Sequence, residues 1–201
     1  MKGVDRLVGD ARERHPRPMD ARERTVVWCL SIAYLAAASA VAFAVPWNRH
    51  PSALTLVGLV VLFAAVSAFP FEVGSVTALP APLGLVPMLF LAPLPLVPLL
   101  VALGYFLATL PEFLAKTKHW DRSIYALCDS WMALGPVLVL GLLAPRPPRL
   151  SDSAVYVLAF VAQLASDGVT TGIREYAARG VSARDTLNAL TTYRIDAALW
   201  P

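Results

Sequence analysis

The stretch from Leu83 to Leu110 reads LGLVPMLFLAPLPLVPLLVALGYFLATL, and it is too long to form one untilted membrane-spanning helix. Pro93 and Pro95 lie near its middle. Proline removes a backbone hydrogen-bond donor and disfavours helix in the residue before it. The pattern therefore predicts a helical hairpin, with a short helix to about residue 91, a tight turn at APLP and a second helix over about 96–110.

The rest of the chain has the same apolar character, arranged in blocks. Of the 201 residues, 57% are hydrophobic and 15% are charged, whereas a soluble domain is roughly half apolar and a quarter charged. Blocks of about 18–25 residues match the helix length that crosses a hydrocarbon core of about 30 Å. The sequence predicts an all-α, polytopic transmembrane helical bundle of about six spans. Besides the two of the hairpin, these spans cover about 25–46, 53–69, 123–144 and 153–171.

Basic residues indicate which loops lie in the cytoplasm, because lysine and arginine are enriched in short cytoplasmic loops. Seven of them precede residue 25, and others follow the hairpin at 116–122 and the last span at 174–184. Arg146 and Arg149, in a predicted outer loop, depart from this pattern. We therefore expect a multi-pass protein of the bacterial inner (cytoplasmic) membrane with its N-terminus inside. Residues 1–24 form a cytoplasmic basic segment and residues 25–201 the membrane-embedded domain.

The two ends of the chain carry different signals. The first 24 residues are polar, and no small-residue cleavage site closes the first apolar block, so we expect a retained first span rather than a signal peptide. The last stretch, SARDTLNALTTYRIDAALWP, begins as an amphipathic cytoplasmic helix and turns apolar at Ala197. This ending predicts that the natural protein is longer and that the chain is truncated at its C-terminal end.

Polar residues within the spans are the candidate site, because an ionisable group costs about 2.5–3.5 kcal/mol to insert and is by default a functional hypothesis. Asp129 and Asp167 lie inside spans, and Glu72 lies at the inner end of the second. Gln163 precedes Asp167 by four residues and so shares its helix face. We predict that Asp129, Gln163 and Asp167 line one polar seam, and that these three with Glu72 bind a ligand.

Structural roles explain the same residues. An interhelical hydrogen bond would account for Asp129 or Asp167, and Arg174 follows Asp167 by seven residues on the same face as a pairing partner. Glu72 is shallow enough to remain wet and to pair with a juxtamembrane lysine or arginine. The sequence leaves both interpretations open.

The segment PFEVGSVTALPAP, residues 70–82, interrupts the apolar run before the hairpin. Non-helical backbone at membrane depth is tolerated only where it is buried in protein or lines a cavity. We therefore expect a Gly- and Pro-rich link at the inner membrane face that packs within the bundle, with any ligand pocket close to it.

Several other classes of function find no signal in the sequence. A net charge of +3 is too small to indicate nucleic-acid binding, and the three histidines stand alone in separate flanks without metal-ligand spacing. Phosphate-binding loops, nucleophile elbows and zinc-protease motifs are absent from the sequence. We expect no nucleic-acid partner, no metal, no cofactor and no catalytic domain within this chain.

Four stretches in fixed order carry a resemblance: FEVGSVTALPAPLGLVPMLFLAPLPLVPLLVALGYFL, ALCDSWMALGPVLVL, VYVLAFVAQLASDGVTTGIRE and YRIDAALWP. Their order resembles the multi-span N-terminal membrane region of bacterial signalling proteins from high-GC genomes. In those proteins the region precedes a cytoplasmic GGDEF diguanylate cyclase or HD-GYP phosphodiesterase domain, sometimes through a PAS or GAF module. The resemblance covers about 53–201, and no GGDEF or HD-GYP sequence follows in this chain.

The resemblance also implies which positions matter. It falls on Glu72, Pro87, Asp129, Ser130, Trp131, Gly135, Pro136, Asp167 and Asp196. Among these, Pro87, Gly135 and Pro136 join Pro93 and Pro95 as predicted helix-breaking or structural positions.

The resemblance implies a sensory or anchoring domain in the lipid bilayer that regulates a cyclic-di-GMP output domain in cis. A small-molecule ligand and a homodimeric state are compatible with this hypothesis. The alternative is a small-molecule transporter or substrate-binding membrane subunit, similar in plan to the S components of energy-coupling-factor importers, because broken helices near the midplane are a known location of substrate sites. A pure anchor without a ligand is the third hypothesis.

Overall fold

The computed structural model describes residues 18–47, 49–69, 71–73, 76–78, 81–143 and 149–180. Helices dominate these ranges. The α-helices are α1 (Ala21–Ala44), α2 (Ala53–Ser67), α3 (Ala81–Leu91), α4 (Val97–Leu114), α5 (Tyr125–Asp129), α6 (Leu134–Leu143) and α7 (Ser153–Arg174). Short 3₁₀ turns cover Leu94–Leu96, Trp120–Ile124, Ser130–Ala133 and Leu150–Asp152, and α7 continues as a π-helical turn over Glu175–Arg179.

Four helical segments in the described ranges are long and apolar enough to cross a bilayer. They cover Ala21–Ala44, Leu94–Leu114, Trp120–Leu143 and Ser153–Ala178. The apolar helices α2 and α3 are shorter, about 22 and 16 Å at about 1.5 Å per residue. Large apolar side chains on the outer helix faces are exposed, among them Phe43, Leu54, Leu83 and Leu142. These features fit a helical membrane protein whose outer faces contact lipid.

The predicted break of the 83–110 stretch into two helices is confirmed. Helix α3 ends at Leu91, Ala92 and Pro93 turn the chain, and a 3₁₀ turn with Pro95 at its second position leads into α4. Pro87, in contrast, does not break α3, which continues through it to Leu91. One missing backbone hydrogen bond is outweighed because the face of α3 that carries Leu85 and Met88 is fully buried.

A second hairpin, made of strands, was not predicted. Strands β1 (Phe71–Val73) and β2 (Val76–Ala78) pair antiparallel, with Val73 opposite Val76. The link between α2 and α3, expected to be non-helical, thus contains two short paired strands. A Gly-Ser pair between two β-branched residues, as in Val73-Gly-Ser-Val76, is a sequence signal for such a hairpin.

The segment from Trp120 to Leu143 is helical throughout, but its α-helix is interrupted in the middle by the 3₁₀ turn Ser130–Ala133. Pro136 explains the position of the break. In a regular α-helix its ring would clash with the carbonyl group four residues earlier, and it has no N–H to donate to that carbonyl. Gly135 has a different role. A Cβ there would lie 2.6 Å from the Ala162 carbonyl carbon, so the glycine allows α6 and α7 to approach closely.

Phe63 is the centre of the core between α2, α3 and α4. Its side chain is fully buried, and its ring meets the Tyr105 ring edge-on at 5.0 Å between centroids. Gly84 and Gly104 face this ring, and a Cβ at Gly104 would come within 2.6 Å of Phe63 Cδ1. The small residues therefore set the spacing of these three helices.

Hydrogen bonds join the helix ends in two sets, one at each end of the bundle. At one end, the Met19 backbone N–H donates to Asp121 Oδ2 at 2.8 Å, and Arg22 Nε donates to the Ala177 carbonyl at 2.5 Å. At the other end, Arg49 Nη1 donates to the Leu89 and Ala92 carbonyls at 2.6 and 3.1 Å. The first set joins the segments that the charge pattern predicts to be cytoplasmic, and the second joins segments predicted to be outside.

Candidate polar ligand site

The site forms where the broken span meets the end of α7. Asp129 is the last residue of α5, directly before the 3₁₀ turn, and Arg174 is the last residue of α7. Arg174 Nη1 donates a hydrogen bond to Asp129 Oδ1, and the two side chains form an ion pair. The Arg174 guanidinium also lies 5.4 Å from the centroid of the Tyr125 ring, within cation–π distance.

A cavity of about 320 Å³ adjoins this ion pair. Its polar lining consists of Tyr105, Asp129, Gln163, Asp167, Thr171 and Arg174. Its apolar lining consists of Ala81, Pro82, Met132 and Leu164. The structure thus brings Asp129, Gln163 and Asp167 together, as the predicted polar seam requires, and it places the cavity beside the start of α3, next to the 70–82 stretch.

Two of the polar side chains in this cavity have no protein partner within the described ranges. Gln163 is 5% exposed, yet its side-chain amide makes no hydrogen bond there; only its backbone carbonyl accepts one, from Ser166 Oγ at 3.0 Å. The Asp167 carboxylate lines the cavity and is exposed, and its backbone carbonyl accepts from Thr170 Oγ1 at 3.1 Å. The cavity therefore offers an amide and a carboxylate to a ligand.

The predicted pairing of Asp167 with Arg174 is wrong, because Arg174 bonds to Asp129 instead. Seven residues along a helix correspond to about 10 Å of axial distance, which is too long for a direct contact between these side chains. Asp129, on a neighbouring segment, lies within reach. A pairing between residues 45 positions apart has no periodic signature in a sequence.

Tyr105 is a site residue that the sequence did not indicate. It is 8% exposed, lines the cavity, and its hydroxyl donates to Met132 Sδ at 3.0 Å. No sequence pattern marks it as a site residue, since a tyrosine within an apolar helix is ordinarily a core residue. Its position depends on how α4 packs against the broken span.

A second hollow of about 230 Å³ shares two lining residues with the first. Tyr105 and Asp129 line both hollows, and the second is further lined by Thr109, Phe113, Lys118, Arg122, Tyr125 and Ala126. Lys118 pairs with Glu112 at 2.5 Å, and Arg122 lies 3.8 Å from Glu23. Lys118 and Arg122 therefore lie at the end of the bundle where α1 begins, while Asp167, which makes no ion pair within the described ranges, lines the first cavity.

The start of α1 holds this end of the bundle together. Tyr125 Oη donates to Glu23 Oε1 at 2.5 Å, and Arg22 reaches the π-helical turn that follows α7. Gly180, with a φ of 72°, ends that turn in the left-handed conformation that glycine tolerates. The chain beyond α7 is thus tied both to α1, through Arg22, and to the ion pair, through Arg174.

The remaining positions singled out by the sequence have structural roles or lie outside the described part. Ser130 is fully buried and donates to the Ala126 carbonyl at 2.5 Å, and the Trp131 indole donates to the Leu30 carbonyl at 3.1 Å. Glu72 pairs through its backbone position with Thr77 in the strand hairpin, and its side chain lies outside what the structure describes. Asp196 and the predicted tail helix also lie outside the described residues.

Metal ligands do not assemble in the described ranges, where no group of three or more His, Cys, Asp or Glu side chains meets. Comparison with known proteins gave no match among family models, curated proteins or solved structures. The resemblance to membrane regions of cyclic-di-GMP signalling proteins therefore stays a prediction.

Proposed function

We propose that this chain is an integral membrane sensory domain that binds a small molecule at the Asp129–Gln163–Asp167 cavity and regulates a cytoplasmic output domain in cis. The observation that carries the proposal is the Asp129–Arg174 ion pair. It connects the wall of the cavity to the last residue of α7, directly before the π-helical turn Glu175–Arg179. A ligand that changes this pair changes how the end of α7 is held.

The composition of the cavity supports a ligand rather than a pure anchor. Charged and amide groups among membrane helices lower stability unless they are paired, and a domain that only anchors the protein does not require them. Asp167 and the amide of Gln163 lack protein partners in the described ranges. A bound ligand would supply the missing partners and offset the cost of placing these groups among membrane helices.

Signal transmission would act on a small set of contacts. A ligand shifts an equilibrium only by its differential affinity for two conformations. Here one conformation has Arg174 on Asp129 and Arg22 on the Ala177 carbonyl, and the other has the end of α7 released. The resemblance to membrane regions that precede GGDEF and HD-GYP domains motivates a cyclic-di-GMP enzyme as the output.

The proposed membrane topology has six crossings with the N-terminus in the cytoplasm. Helices α2 and α3 are short for a bilayer, so we propose that they cross with local thinning or with their flanking residues at the interface. The two sets of joined helix ends support this topology, since each set collects segments that the charge pattern assigns to one side.

Transport is the second candidate, and one observation favours it. Two hollows meet at Tyr105 and Asp129, and the helix that carries Asp129 is broken there. Discontinuous helices with sites at the membrane midplane are common in transporters. In that case Tyr105 and the ion pair would separate two access paths.

The test uses the natural full-length gene product in bacterial cells that lack other cyclic-di-GMP enzymes. Cellular cyclic-di-GMP is measured across growth conditions for the wild type, Asp129→Asn and Asp167→Asn. Asp20→Asn is the matched control, because Asp20 is exposed and its side chain caps no helix N–H.

We expect both cavity variants to change cyclic-di-GMP in at least one condition and the control to follow the wild type. Unchanged cyclic-di-GMP in every condition, with normal membrane levels of each variant, would reject regulation through this site. A full-length gene without an output domain would reject the sensory function, and solute uptake by proteoliposomes would then favour transport.

A further inference from the structure

We infer that the ligand of the 320 Å³ cavity is a small primary amine in its cationic form, recognised by Asp167 and Gln163. This inference rests on the proposed sensory function and deepens it by naming a ligand class.

Charge in the cavity is the first argument. Its described lining holds two carboxylates, Asp129 and Asp167, and one guanidinium, Arg174, which leaves one net negative charge when all three are ionised. Arg174 bonds to Asp129, so the charge that remains belongs to Asp167. A cation from outside the protein would complete the second pair, because buried or membrane-embedded charges are stable only when paired.

The second argument is the side-chain amide of Gln163. The residue is 5% exposed and lines the cavity, and its amide has no hydrogen-bond partner in the described ranges. Gln163 and Asp167 are four residues apart on α7, so their side chains point in the same direction. An ammonium group has several N–H donors and can reach the carboxylate and the amide oxygen together.

The size and lining of the cavity determine which substituent the amine can have. A cavity of about 320 Å³ is at the lower end of the range for ligand pockets, which is roughly 300–1,000 Å³. Its remaining walls include Met132, Leu164 and Pro82, which favour an apolar body next to the ammonium. Asp167 is exposed and lines the cavity, so the cavity is open on the side of the carboxylate.

The probe is phenethylamine, compared with 2-phenylethanol, which has the same shape without the charge. Binding to the purified full chain in lipid nanodiscs is measured by titration calorimetry at pH 7, where a primary alkylamine is protonated. Empty nanodiscs supply the partitioning background for both compounds.

We expect phenethylamine to bind at least about tenfold more tightly than 2-phenylethanol, the effect of one charge-assisted pair of about 1.4 kcal/mol. Asp167→Asn should abolish the preference and Asp167→Glu should retain part of it. Gln163→Leu should weaken phenethylamine more than 2-phenylethanol, and Asp20→Asn should bind as the wild type.

Equal binding of the two compounds by the wild type, or a preference that persists in Asp167→Asn, would overturn the inference. Size-exclusion profiles identify any variant that has lost its fold. If Asp167→Asn does not fold, the partial preference expected of Asp167→Glu still tests the role of the carboxylate. Because calorimetry needs no output domain, failure here together with altered cyclic-di-GMP in Asp129→Asn would reject the amine and leave the sensory function standing.

Discussion

Arg174 Nη1 donates a hydrogen bond to Asp129 Oδ1 and so joins the last residue of α7 to the last residue of α5. Arg174 is largely buried, and Asp129 is partly buried. The bond lies at the edge of the polar cavity and next to the 3₁₀ break in the third candidate span, Trp120–Leu143. One ion pair therefore connects the candidate site, the broken span and the end of α7.

Close packing of α6 on α7 should depend on Gly135. A Cβ there would lie 2.6 Å from the Ala162 carbonyl carbon, and the backbone cannot rotate away as a side chain can. We expect Gly135→Ala to lower the free energy of unfolding in mixed SDS micelles by about 1–3 kcal/mol. Gly168→Ala is the control on α7, where a Cβ has nothing within 4 Å, and it should be neutral or slightly stabilising.

Arg49 should stabilise the turn of the helical hairpin. Its Nη1 satisfies the Leu89 and Ala92 carbonyls, which the end of α3 leaves without helical N–H partners. We expect Arg49→Gln to reduce the free energy of unfolding by about 1–2 kcal/mol, measured in the same micelles. Arg24→Gln, at an exposed position on α1, should have no effect. Equal losses in the two variants would mean that the bond at the turn is unimportant.

Arg22 should restrain the turn that follows α7. Its bond to the Ala177 carbonyl is the direct link from α1 to the π-helical segment. Removing it in Arg22→Ala should raise amide hydrogen exchange in 175–180 by about two- to tenfold, which corresponds to about 0.5–1.5 kcal/mol of lost stabilisation. Exchange in Arg24→Ala should match the wild type. Identical protection in both variants would refute the restraint.

Membrane topology can be tested with single cysteines. In a background with Cys29 and Cys128 replaced by serine, His50→Cys and Ala115→Cys place one thiol at each predicted side, both at exposed positions. An impermeant maleimide added to intact spheroplasts should label position 50, and position 115 only after the membrane is opened. The reverse pattern would invert the proposed orientation, and labelling of both would contradict the crossings between them.

The hairpin at 83–110 and the seam of Asp129, Gln163 and Asp167 could be predicted because proline chemistry and helical spacing are local properties. The partner of Arg174 and the role of Tyr105 could not, since both depend on how distant segments pack. The pairing of Phe71–Val73 with Val76–Ala78 is also local, and the Gly-Ser pair between the two strands is its sequence signal. Pro87 shows the opposite case, in which burial of α3 prevails over a local helix-breaking preference.

A double-mutant cycle on Asp129 and Arg174 tests the central claim most directly. Unfolding in mixed SDS micelles is measured for Asp129→Asn, Arg174→Gln and the double variant. Glu112→Gln and Lys118→Gln form the matched control cycle at a more exposed ion pair. Each single change at the first pair leaves one charge without its partner, whereas the double change removes both.

We predict a coupling of about 1–3 kcal/mol between Asp129 and Arg174, and about 0–1 kcal/mol between Glu112 and Lys118. Additive effects at Asp129 and Arg174, within about 0.5 kcal/mol, would contradict the claim that this ion pair holds the site to the end of α7.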